Sequence, residues 1–125
     1  MATLKRDFCE RAFQFASAVL ERYSRLAAGG PAELHLARQL FEAVSSIGAN
    51  LEEGQVANSR RDMAAKYAIA LREAREARYW LRLLATRPGR LEEIAPLIQE
   101  SNEFVAMLTV AVRRLRTPVL DAEEG

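Results

Sequence analysis

Four carboxylates crowd the middle of the chain: Glu52 and Glu53 near the end of one helical pattern, Glu73 and Glu76 within the next. A helical bundle can hold a pair of metal ions with such groups. That requires carboxylates projecting inward at one level, with a Glu-x-x-His motif on each of two helices. The one histidine, His35, belongs to no such motif and reads as an exposed polar side chain. Glu53 falls at a helix end, while Glu73 and Glu76 lie about three turns away in level. Nucleophilic chemistry is no better served. Cys9 is the only cysteine, so neither an intrachain disulfide nor a cysteine metal cluster can form. Among apolar neighbours, with no histidine partner, it reads as a small buried hydrophobe. Ser45 and Ser46 have no visible base, and the connector Gly54–Ser59 lacks the glycine spacing of a phosphate loop. The expectation is a non-enzymatic protein with no catalytic residue, metal or other cofactor.

The arginines carry a stronger pattern. Between Arg60 and Arg87 stand eight basic and three acidic side chains. On a helical wheel Arg60, Arg61, Arg75, Arg78 and Arg82 gather on one side. Guanidinium groups suit phosphates because their planar donor fork engages two oxygens, so this side is the candidate contact for RNA or DNA. A plainer account exists. The preceding helix carries Glu33, Glu42, Glu52 and Glu53 against Arg38, so the two helices attract and their charges can pair, with Glu76 near the level of Arg38. A protein–protein adaptor with no nucleic-acid role is the alternative reading. The net charge of +1 argues against a chain coated in basic residues, though not against a local stripe.

The elements that position these groups are helices. Leu4, Phe8, Ala12, Phe15, Val19 and Leu26 recur at spacings of three, four and seven, predicting a helix over 4–27 that only Arg22 interrupts. Ala28-Gly29-Gly30-Pro31 ends it. A second helix is predicted over 32–54, with Leu34, Ala37, Phe41, Val44, Gly48 and Leu51 on its seam and Gly54 as its stop. Gly48 costs about 1 kcal/mol against alanine in a helix interior, which points to a close helix–helix approach there. Ser59 is a good N-cap for a third helix over 60–85. Thr86–Gly89 form a turn, and a fourth helix spans 91–116. Long helices joined by short connections favour antiparallel neighbours, so the fold class is all-α, an up-down-up-down four-helix bundle. Residues 1–116 form this single domain and 117–125 a short, acidic, disordered tail. No apolar run approaches the roughly 18 residues of a membrane span, and the N-terminus has no secretory core. A cytoplasmic protein with no membrane partner is expected.

The third helix has more apolar surface than one bundle position needs. Met63, Tyr67, Ala70, Ala74, Ala77, Leu81 and Leu84 form its core face. Ile69, Trp80 and Leu83 form a second strip, with Tyr79 at its edge and Glu73 and Glu76 beside it. Such a strip either widens the core or meets another subunit, and these six residues are the candidate oligomer interface.

The centre of the chain also resembles a known family: bacterial four-helix-bundle proteins named after the 23S rRNA intervening sequences that encode some of them. The motif residues are Ser46, Ile47, Asn50, Leu51, Glu53 and Gly54, then Ser59, Ile69, Ala70 and Glu76. The runs Ile47–Glu53, Glu73–Glu76 and Tyr79–Leu84 match one branch more closely still, although Arg72-Glu73 stand where many members have Gly-Ser. The resemblance implies a four-helix protomer that assembles into a ring-like homopentamer. A relative, the accessory protein of diversity-generating retroelements, is a pentameric barrel that binds nucleic acid and a reverse transcriptase.

Overall fold

The computed structural model describes residues 2–118, with side chains from residue 7 onward; the tail expected to be disordered lies, from residue 119, outside the described residues. Among them the chain is all-helical. The elements are α1 (Ala2–Glu21), α2 (Tyr23–Ala27), α3 (Pro31–Gln55), α4 (Arg60–Ala85) and α5 (Leu91–Arg116).

Five helices stand where the hydrophobic spacing predicts four, because the first pattern breaks at Arg22. The Arg22 guanidinium donates to the Ala18 carbonyl at 2.9 Å. In an uninterrupted α-helix that oxygen accepts from the Arg22 N–H; here the N–H bonds Val19 O instead, at 3.1 Å. The chain tightens for one residue and resumes as α2. Val19 and Leu26, seven positions apart, both remain fully buried.

The boundaries of the other helices follow local chemistry. Gly29 and Gly30 take positive φ values of 119° and 147° between α2 and α3, a region open to residues without a Cβ, and Pro31 opens α3 where its missing N–H costs nothing. Ser59 caps α4 as expected, its hydroxyl accepting the Asp62 N–H at 3.0 Å. Gly54 is not a stop. It lies inside α3, which runs on to Gln55.

Each long helix packs on two others, in the cyclic order α1–α3–α4–α5. Ala70, Ala74 and Ala77 of α4 are wholly buried, and small side chains there let the helices approach closely. The α1–α5 side closes through aromatic rings. Phe8 and Phe15 both stack on Phe104, with centroids 5.6 and 5.5 Å away. Outside these rings, Arg11 donates to Glu100 at 2.8 Å and to Glu103. Phe41, which its spacing puts on the seam of α3 and so between helices, is half-buried at the margin and meets Tyr23 edge-on at 6.1 Å. The one buried polar side chain among the described residues, Ser101, donates to Ile98 O at 2.7 Å. No helix among the described residues is long and apolar enough to cross a membrane.

Candidate nucleic-acid and self-association surfaces

The five arginines grouped on α4 divide into two kinds. Arg60 serves the fold. Its guanidinium donates to Leu115 O at 3.1 Å and to Arg114 O at 2.6 Å, satisfying carbonyls that the last turn of α5 leaves without helical partners. Arg78 is half-buried and donates to Asn102 of α5 at 3.3 Å. Arg61, Arg75 and Arg82 are exposed, and none has an ion pair or hydrogen bond among the described residues. Among the described residues, the ion pairs that α4 and its following turn make are Arg72–Glu73 at 3.6 Å and Arg87–Glu33 at 4.0 Å. Glu76 and Arg38 do not pair.

The contact between the first turn of α4 and the last turn of α5 adds residues that the wheel of α4 alone missed. Arg113, Arg114 and Arg116 occupy the last turn of α5, so they join Arg60 and Arg61 at one end of the molecule. A shallow cavity of about 570 Å³ opens there, lined by Arg60, Arg61, Arg116, Leu115 and Pro118. The available signal was the run Arg113-Arg114-Leu115-Arg116, which reads as a basic helix end. Arginines in the last turn of α5 complement its dipole. Arg61 does not: in the first turn of α4 a cation is disfavoured by a few tenths of a kcal/mol or more. Helix stability therefore does not account for Arg61.

The second apolar strip of α4 is partly absorbed by the core. Ile69, Trp80 and Leu83 are half-buried, and Trp80 packs on the core cluster. Its indole Nε1 is buried without a hydrogen-bond partner. Tyr79, edge-on to Trp80 at 5.5 Å, is 54% exposed. Glu76 is exposed and Glu73 is half-buried. Burial, then the charge of Glu76, push the Glu73 carboxyl above its ordinary value, with Arg72 opposing. The folded chain thus holds this proton more tightly than the unfolded chain. Stability falls as pH rises from about the ordinary value of 4.5 through the folded one. Glu73→Gln should raise the melting temperature at pH 7 and change it little at pH 4. A difference that does not grow between these pH values would overturn the assignment.

Most of the family-motif residues of α3 are taken up by the fold. Ile47 and Leu51 are fully buried. Asn50 does not reach the following turn: its Nδ2 donates back to Ser46 O at 2.9 Å and Ser46 Oγ at 3.0 Å. Glu53 is exposed. Gly54 faces the ring of Tyr67, whose hydroxyl accepts from Gln55 at 2.7 Å. Among the described residues no group of three or more His, Cys, Asp or Glu side chains is placed to hold a metal ion. His35 is exposed and Cys9 half-buried, with burial, then the charge of Glu52, pushing its thiol up.

These features define an all-α protein with an arginine-lined end and partly exposed apolar helix faces. The chain belongs to the 23S rRNA-intervening sequence protein family, whose model matches residues 5–110. A solved structure from Bacteroides thetaiotaomicron, a protein with unknown function from the S23 ribosomal protein family, is 29% identical, with a TM-score of 0.75. The match covers 87% of this chain and 97% of that one. No curated protein matches this chain.

Proposed function

We propose that this chain is a cytoplasmic, non-enzymatic protein that self-assembles and binds RNA or DNA through arginines. In this reading α1 and α2 together form the first arm of an up-down-up-down antiparallel four-helix bundle, and bundles associate into a ring of about five copies. The observation that carries the nucleic-acid reading is the end where α4 begins and α5 finishes. Arg61, Arg113, Arg114 and Arg116 gather there without a carboxylate partner among the described residues. One protomer offers a small site. A ring repeats it, and repetition raises avidity without any new kind of contact.

The test combines light scattering with fluorescence anisotropy on a 20-nucleotide RNA and a 20-base-pair DNA. Wild type is expected near five chains in mass, with four as the nearest alternative. Binding should be weakly sequence-specific and weaken steeply with salt, through counterion release. The triple change Arg61→Gln, Arg113→Gln, Arg116→Gln should lower affinity at least tenfold and flatten the salt slope while the mass stays unchanged. No binding by wild type at 50 mM salt would remove the nucleic-acid reading. The adaptor reading would then take its place, supported by the exposed apolar side chains Phe13, Leu20 and Tyr79.

A further inference from the structure

The cyclic order α1–α3–α4–α5 puts the α1/α3 face and the α4/α5 face on opposite sides of the protomer. Both faces carry apolar side chains that the single chain leaves uncovered. On the α1/α3 face Phe13 and Leu20 are 60% and 58% exposed. They border a groove of about 350 Å³ floored by Ala16, Phe41, Gly48 and Ala49. On the α4/α5 face Tyr79 and Leu91 are 54% and 60% exposed. They border a groove of about 480 Å³ that also takes in Leu83 and Ile98. The charges that line the two grooves are opposite. Glu52 lines the first, Glu42 and Glu10 are exposed near it, and Arg38 is the cation among them. Arg82 lines the second, Arg75 and Arg72 are exposed two and three turns earlier on α4, and the exposed Glu76 and Glu92 are the acids beside Tyr79 and Leu91.

We infer that the α1/α3 groove is a docking surface for the α4/α5 face of a second copy of this chain. The inference rests on the self-assembly reading above and names its junction. Each face supplies a projecting aromatic ring and an apolar groove to receive one, and the charges that line the two grooves attract. Two complementary patches on opposite sides of one molecule cannot satisfy each other within a two-fold pair. They join head to tail, which closes into a ring if the rotation between copies allows. The arginine end lies at the other end of α4 from Tyr79 and Leu91, so assembly leaves it open.

Two surface variants test this junction. Phe13→Asp with Leu20→Asp disables the first face, and Tyr79→Asp with Leu91→Asp the second. All four positions are exposed, so helical circular dichroism should match wild type. Each variant alone should run as a monomer by light scattering at 50 µM without nucleic acid. An equimolar mixture should form a one-to-one dimer and nothing larger, because one working junction remains. If wild type is itself a monomer, self-assembly fails and this junction with it. An assembled wild type with either variant keeping its mass would place the contact elsewhere. Two monomeric variants whose mixture stays monomeric would mean that the two faces are not partners.

Discussion

Phe104→Ala should cost about 3–5 kcal/mol of folding stability, the range for deleting a buried aromatic side chain. Phe104 is fully buried, and both Phe8 and Phe15 stack on it with interplanar angles of 10° and 7°. Arg11 lies over the same ring, its Cζ 5.5 Å from the centroid. Truncation leaves two rings of α1 without their partner in α5. Phe8 keeps its edge-on contact with Tyr67 at 6.4 Å, whereas Phe15 has no second aromatic partner among the described residues. Urea unfolding followed by circular dichroism measures the loss. Phe104→Leu should recover about half of it by refilling most of the volume. A loss below about 1 kcal/mol for the alanine variant would mean that this seam does not hold α1 in place.

The seam itself was legible. Spacings of three, four and seven place Ala12, Phe15, Val19 and Leu26, then Ala37, Val44 and Leu51, then Tyr67, Ala74 and Leu81, and these side chains are buried. On α5 the neighbours Phe104 and Val105 both suit a seam position by spacing, and it is Phe104 that stacks on Phe8 and Phe15. The break at Arg22 was not legible, because it depends on a competition for one carbonyl. A guanidinium reaching back four residues takes the Ala18 oxygen, and nothing in the hydrophobic pattern marks that event. Phe41 failed for a different reason: spacing identifies a helix face but not its margin, where a ring meets solvent on one side.

The arginine surface was legible in part. A wheel groups the arginines of α4 but cannot say which of them the fold consumes. Arg60 is taken by the carbonyls of α5, a contact between residues more than fifty positions apart. That antiparallel contact is also what brings Arg113 and Arg116 beside Arg61, so half of the basic end lies outside any single-helix reading. Phe13 and Leu20 were passed over because they sit beside a clear seam and look like its overflow. Only the cyclic order of the helices gives them a face of their own.

Two glycines of α3 should respond to alanine with opposite signs. Gly48 meets the backbone of α1, the close approach its place on the seam predicts, but a Cβ there would still lie 3.7 Å from the Ala12 Cβ and 3.8 Å from its carbonyl carbon. Those are ordinary van der Waals distances, so Gly48→Ala should gain up to about 1 kcal/mol from helix propensity. A Cβ on Gly54 would sit 2.6 and 2.8 Å from the Tyr67 ring carbons Cε1 and Cδ1. The ring cannot swing aside cheaply. Tyr67 is buried among core side chains, and its hydroxyl is tied to Gln55. Overpacking of this kind costs about 1–3 kcal/mol, occasionally more, which outweighs the same propensity gain. Gly54→Ala should therefore destabilise by about 1–2 kcal/mol. The double change Gly54→Ala with Tyr67→Leu should lose less than the two single changes together, because the smaller side chain vacates the space. Strict additivity in that cycle, or a stabilising Gly54→Ala, would show that the ring is not what excludes a side chain at Gly54.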